Sequence, residues 1–170
     1  MNFIKDIACS VAMTAVIVAA GANAEVVKNN NLGFSAAFPC RSQQTAQTVI
    51  ASFGKVPVTS LSCADGKDIY IISVSRYPKG FIAKRNHVYR DAVNGAASNV
   101  KGKVRSNVPY KLGAVTGRDA LIDVPSQRAA AHIRVFFAGD RQYQVMFLGP
   151  KGHESGKAAM GFLNSFKLGI

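Results

Sequence analysis

Between His132 and Pro150 the chain reads HIRVFFAGDRQYQVMFLGP. Two runs alternate with period 2 about Ala-Gly-Asp-Arg, and that alternation places successive side chains on opposite faces of a strand. An antiparallel hairpin follows, and a hairpin must bury a face against further structure to be stable. The loop length decides which residues share a face. With Gly139-Asp140 as a two-residue turn, Phe137 faces Gln142 and Val135 faces Gln144, so apolar and polar residues mix on both faces. With the loop Gly139-Asp140-Arg141, Ile133, Val135, Phe137, Tyr143, Val145 and Phe147 share one face. His132, Arg134, Phe136, Gln142, Gln144 and Met146 then share the other. The cleaner separation predicts a three-residue loop or a bulge. The polar face is either a solvated or partly covered sheet face, or one wall of a ligand groove carrying His132 and Arg134.

The rest of the chain supplies a sheet for this hairpin to join. Leu32–Phe38 reads as a strand ended by Pro39. Thr45–Phe53 and Val56–Ala64 read as strands about Gly54-Lys55, and Asp65-Gly66 is a turn signal. DIYIISVSRY, Asp68 to Tyr77, opens on an apolar run, as a central strand buried on both faces does. Tyr89, Val93, Ala96 and Val100 form one stripe of an amphipathic helix, with Asn86 able to cap its start and Gly102 able to follow its end. Two strands are expected over Lys103–Val108 and Arg118–Val124, with Pro109 and Gly113 between them. A closing helix over Ser155–Ser165 places Ala158, Ala159, Phe162 and Phe166 on one face. Strands, helix, strands and helix in that order predict an α+β fold: a largely antiparallel central sheet with helices packed on its faces, an α-β-α sandwich.

The first 24 residues read differently. One lysine, Lys5, precedes an apolar run from Ile7 to Ala20, and Ala22-Asn23-Ala24 has the small-x-small pattern of a signal-peptidase site. The run falls short of the ~20 residues of a comfortable membrane span. A signal peptide over residues 1–24 is expected, leaving residues 25–170 as one α+β domain, periplasmic or secreted, with no transmembrane span after cleavage. An uncleaved N-terminal anchor is the alternative. Of three cysteines, Cys9 leaves with the signal peptide, and Cys40 and Cys63 remain in an oxidising compartment. One disulfide between them would close a loop of about 24 residues and stabilise by about 3 kcal/mol. Two buried thiols are the alternative.

The formal net charge is +12. Such an excess attracts anions at long range, and outside the cytoplasm these are lipid head groups, lipopolysaccharide or acidic polymers rather than nucleic acid. The densest basic segment is KGFIAKRNHVYR, in which Lys79, Lys84, Arg85 and Arg90 surround Phe81 and Ile82, with KGKVR beyond the helix. Basic residues beside apolar ones suit an anionic membrane surface. Alternatively, Phe81 and Ile82 tuck against the sheet while the charges are only solvated.

Chemistry has little support. GPKGHESGKAAMGFL lies between a strand and a helix, but only three residues separate Gly152 from Gly156-Lys157, and Ala158 stands where a P-loop needs Ser or Thr. No pair among His87, His132 and His153 has metal-ligand spacing on one element. There is no GxSxG elbow, HExxH helix or activated Cys-His pair. No catalytic residue, metal or cofactor is assigned.

GFSAAFP, VFFAGDRQYQVMFLGP and FLNSFKL, taken in order, resemble the PsbP-like and DcrB-like domains, in which a Gly-Phe-x-x-x-Phe-Pro start, a similar hairpin and a terminal FlnSF helix recur. The resemblance implies an α-β-α sandwich and an exported or lumenal accessory protein, usually non-enzymatic. The expected function is an exported binding or accessory protein engaging an anionic envelope component or an envelope protein. Two rivals stay open: a small periplasmic hydrolase with a site assembled around His132, and a structural subunit of an envelope complex.

Overall fold

The computed structural model describes residues 24–84 and 87–169. The expected signal peptide, Ala24 excepted, the expected cap Asn86 and the basic residue Arg85 lie outside the described residues. The strands are β1 (Glu25–Asn29), β2 (Phe34–Phe38), β3 (Gln43–Ala51), β4 (Gly54–Asp65), β5 (Asp68–Arg76), β6 (Lys103–Leu112), β7 (Val115–Val124), β8 (Ala129–Ala138), β9 (Arg141–Pro150) and β10 (Lys167–Leu168). The helices are α1 (Val88–Asn99) and α2 (Lys157–Ser165). Seven strands form one antiparallel sheet in the order β3-β4-β5-β9-β8-β7-β6, and β1, β2 and β10 form a small sheet beside it. The α+β sandwich expected from the sequence is therefore present.

Both faces of the large sheet are covered. On one face, α2 and β2 pack through Phe34, Phe38, Phe162 and Phe166 onto Tyr70, Ile72, Phe136, Tyr143, Val145 and Phe147. On the other, α1 packs through Ala92, Val93, Ala96 and Ala97 onto Ile122, Ile133, Val135 and Leu148. Small side chains on this helix face let its backbone approach the sheet closely.

The hairpin corrects the sequence expectation. Phe137 pairs with Gln142 and Ala138 with Arg141, so the loop is the two-residue turn Gly139-Asp140 and there is no bulge. Gly139, at φ 58°, supplies the left-handed residue that a tight hairpin turn demands. Separation of polar from apolar residues does not set this register, because neither face is left to solvent. With both faces covered, polar residues need partners rather than a common side. Gln142 is buried on the α1 face and accepts a 2.7 Å hydrogen bond from the Tyr77 hydroxyl. Arg134 and His132 are buried on the α2 face and are partnered there.

Smaller corrections follow from position in the sheet. The β3–β4 turn is Ser52-Phe53, because Ala51 pairs with Gly54. Pro109 lies inside β6 opposite Arg118, where an edge strand tolerates the missing N–H. After α1, Lys101 rather than Gly102 takes the left-handed conformation, at φ 53°. The Lys101 and Gly102 amides donate to the Ser98 and Ala97 carbonyls, closing the helix. Gly102 is needed for space instead, since a Cβ there would meet the Asp123 carbonyl at 2.7 Å.

Cys40 and Cys63 are joined as a disulfide, as expected. It lies just past the end of the β3–β4 ladder, where Gln43 pairs with Ser62.

Candidate functional site

The register brings together two polar constellations. One is a closed network beneath α2. Asp119 on β7 lies opposite Arg134 on β8. Arg134 Nε donates to Asp119 Oδ2 at 2.8 Å, and its Nη1 donates to the Leu163 carbonyl and to Asn164 Oδ1. Its guanidinium carbon sits 4.1 Å from the centroid of the Tyr110 ring, at cation–π distance. His132 Nδ1 donates to the Glu154 carbonyl at 2.7 Å, and its Nε2 meets Asp119 Oδ1 at 2.7 Å. Arg105 reaches Glu154 Oε1 at 2.7 Å, and the Gly152 amide donates to Glu154 Oε2.

Burial by itself would raise the Asp119 carboxyl. The hydrogen bonds from His132 and Arg134 outweigh it and hold the group below the ordinary carboxylate range. Glu154 is held low in the same way: burial opposes ionisation, and the Arg105 bond, the backbone amides of Glu154 and Gly152 and the Arg105 charge together more than offset it. With exposures of 6% and 4%, His132 and Arg134 do not line an open groove. Both His132 ring nitrogens are engaged, so neither is poised to take a proton from a nucleophile. The network pins the loop before α2, and α2 itself, to the sheet.

The second constellation is open. The β3–β4 and β8–β9 turns, the C-terminal end of β5 and the start of α1 lie at one end of the sheet. Most acidic residues of the described chain lie away from this hairpin end, Asp91 and Asp140 excepted. Asp68 pairs with His153, Asp123 with Arg105 and Lys151, and Glu154 with Arg105, all at the opposite end. At the hairpin end Arg90 pairs with Asp91 at 3.5 Å. Asp140 is used structurally, its side chain accepting from the Gly80 amide and its carbonyl from the Tyr77 amide. Among the described residues Lys55, Arg76, Lys79, Lys84 and Arg141 make no ion pair there. Arg76 and Arg141 stand directly opposite each other on β5 and β9.

Apolar side chains share this end. Phe53, Tyr77 and Phe81 form an aromatic cluster, with Phe53 and Phe81 centroids 4.0 Å apart. Phe81 and Ile82 pack half-buried against Ala51, Val56 and Val58, and Ile50 is 70% exposed. The cavity under this loop, about 10 Å³ and lined by Tyr77, Phe81, Ile82, Val88, Phe137 and Gln142, has room for about one water molecule.

Of the residues singled out in the sequence, Lys79, Phe81, Lys84 and Arg90 thus converge at the hairpin end, and Arg85 lies outside the described residues. KGKVR lies at the opposite end, because α1 runs between the two segments and Lys103 pairs with Asp123. His132 and Arg134 belong to the network beneath α2. Sequence reasoning missed Arg76 and Arg141. The two-residue turn, once accepted, would have placed Arg141 at the strand start and shown the signal.

No protein-family model and no curated protein sequence matches the chain. Among solved structures it is similar to the solution structure of cyanobacterial PsbP (CyanoP) from Synechocystis sp. PCC 6803, with TM-score 0.55, 9% identity, and coverage of 91% of this chain and 95% of that one. At that identity the likeness establishes a PsbP-like fold. A crystal structure from Bacteroides thetaiotaomicron VPI-5482 aligns with TM-score 0.45 and 13% identity over 79% of this chain. The chain spans 44% of that longer protein.

Proposed function

We propose that this is an exported, non-enzymatic binding module that docks on an anionic envelope surface through its hairpin end. Arg76, Lys79, Lys84, Arg90 and Arg141 meet phosphate-bearing head groups, of lipid or lipopolysaccharide, while Ile50, Phe53, Phe81 and Ile82 lie against the interface. One observation carries the reading: Arg76 and Arg141 oppose each other and neither makes an ion pair, at an end where Asp140 is taken up by the Gly80 amide and Asp91 by Arg90. Like charges directly opposite cost stability, and a bound anion offsets that cost. The α1 N-terminus adds its partial positive charge to the same end.

Export is part of the proposal, with cleavage after Ala24. It is supported by the Cys40–Cys63 disulfide, which persists in oxidising compartments. No helix among the described residues is long and apolar enough to cross a membrane. The large exposed apolar side chains Val26, Ile50, Val104 and Val108 stand on β1, β3 and β6, which favours a binding module over a subunit with one continuous apolar interface.

Co-sedimentation with phosphatidylcholine vesicles, with and without phosphatidylglycerol, across a salt series tests the reading. Binding to the anionic vesicles alone, fading as salt shortens the screening length to a few ångströms, is expected. The triple variant Lys79→Gln, Lys84→Gln, Arg141→Gln loses it, and Lys101→Gln with Lys103→Gln at the far end does not. Equal binding to neutral vesicles, or equal losses from both ends, would overturn the proposal.

A further inference from the structure

Arg76 and Arg141 stand on one side of the hairpin end, apart from its aromatic cluster. Cross-strand partners share a face, so both side chains lie on the face of Val74 and Tyr143, two residues along each strand. Phe53, Tyr77 and Phe81 lie on the other face, where Tyr77 bonds Gln142. The turn between β1 and β2 walls the arginine side. A Cβ on Gly33 would stand 3.1 Å from Arg141 Nη1 and 3.2 Å from the Tyr143 hydroxyl. Gly33, at φ 73°, therefore lets the guanidinium lie against the turn backbone. The Tyr143 hydroxyl is engaged already, donating to the Leu32 carbonyl at 2.9 Å. Arg141 is half-buried and Arg76 exposed, and neither makes an ion pair among the described residues. Asp65 and Asp68 oppose each other in the same way at the far end of β5, but there His153 meets Asp68 at 3.0 Å. Asp140, beside Arg141 in the chain, is taken up by the Gly80 amide.

We infer that this pair is a subsite for a phosphomonoester carried by a membrane lipid, an assignment that rests on the docking reading above and narrows it to one chemical group. A phosphomonoester bears close to two negative charges and three free oxygens. A phosphodiester bears one charge and two free oxygens. Each guanidinium is a permanent charge with a planar fork that takes two oxygens at once. The monoester neutralises both arginines and fills both forks by sharing one oxygen between them, which the diester has too few oxygens and too little charge to do. Placement against the Gly33 turn holds one fork in position before the ligand arrives, so less freedom is lost on binding. A lipid carries the group because the same end presents Lys79, Lys84 and the 70% exposed Ile50, a basic surface with an apolar contact rather than an enclosed pocket.

The test compares phosphatidylcholine vesicles containing phosphatidic acid with phosphatidylcholine vesicles holding enough phosphatidylglycerol to match their surface potential. Mildly alkaline buffer keeps the monoester largely doubly ionised. The protein should bind the phosphatidic acid vesicles at least about fivefold more tightly. Arg76→Lys with Arg141→Lys keeps both charges and removes both forks. This variant should lose the preference and retain binding to the phosphatidylglycerol vesicles, which also reports an intact fold. Arg76→Lys alone, at the exposed position, should weaken the preference with an unchanged circular dichroism spectrum. Equal binding at matched potential, or a preference that survives the double variant, would overturn the inference and leave the docking reading standing. Binding to neither vesicle would overturn both. Glycerol 3-phosphate, titrated without vesicles, should bind far more weakly than the phosphatidic acid surface. An affinity equal to that of the vesicles would overturn the membrane source, because the group would then be taken free from solution.

Discussion

Arg76 and Arg141 occupy one cross-strand pair at the hairpin end, the last residue of β5 against the first of β9. The pair is a local cost that packing does not require, because Arg76 is exposed. Replacing Arg76 with Gln should therefore raise stability by a few tenths to about 1 kcal/mol. The same change should weaken binding to anionic vesicles. A higher urea midpoint at unchanged slope, with reduced co-sedimentation, is the expected combination. A lower midpoint would show that the arginine contributes to the fold.

The network beneath α2 behaves in the opposite sense. Asp119 is the carboxylate that Arg134 and His132 share, and Arg134 has no route to water without displacing α2. Asp119→Ala leaves a buried guanidinium short of its counter-charge and should cost about 3 kcal/mol or more. Adding Arg134→Met should recover part of that loss in a double-mutant cycle.

The same carboxyl sets the acid limb. The Asp119 and Glu154 carboxyls are depressed in the folded protein, so the unfolded chain takes up protons first as pH falls. Their contribution is complete above the ordinary carboxylate value of about 4 and disappears as pH drops through their lower folded values. Urea titrations between neutral pH and about pH 2 should show this fall, and Asp119→Ala should flatten it. At the alkaline limit Tyr70 is pushed up to about 12, first by burial and then by Asp68 and Asp65. Its contribution is present below pH 10 and is lost as pH rises toward 12.

The end of α1 offers a paired test. Lys101 holds a left-handed conformation that glycine adopts without penalty, so Lys101→Gly should stabilise by about 1 kcal/mol. Gly102→Ala should destabilise by about 1–3 kcal/mol, because the added methyl meets the Asp123 carbonyl and Ile122. Thermal melts of the two variants should move in opposite directions. Equal shifts would mean that adjacent positions share one requirement.

Reduction of the Cys40–Cys63 disulfide should cost about 3 kcal/mol in the unfolded-chain account. The loss should appear first in β3. That strand is held by its ladder to β4 and by the bridge at its base, with little core contact along Gln43–Thr48. Faster exchange of Gln43–Ala51 ahead of the β5 and β9 amides is the expected result. Uniform acceleration would assign the bridge to the whole fold.

Much of the architecture was legible in residue order. Apolar and period-2 runs identified β2 and the strands of the large sheet but not β1 or β10, the stripe Tyr89, Val93, Ala96 and Val100 identified α1, and the two cysteines beyond residue 24 implied their bridge. The loop of the β8–β9 hairpin was not legible, because residue alternation points to one dry and one wet face and this hairpin has neither face wet. Local pattern could not reveal that α1 covers one side and α2 the other. Of the candidate site, Lys79, Lys84 and Arg90 were visible as a run, whereas Arg76 and Arg141 were not.

The sequence by itself determined most of the elements, the charge and the cysteine pair, since periodicity is local along the chain and charge and cysteine count are fixed by composition. Only the tertiary structure decided that His132 and Arg134 are sealed beneath α2, that Arg76 meets Arg141, and that β3 and β6 are the two edges. Those outcomes depend on strand order and register. Both arise from contacts between residues far apart in the chain, where the burial of one group depends on what another segment places above it.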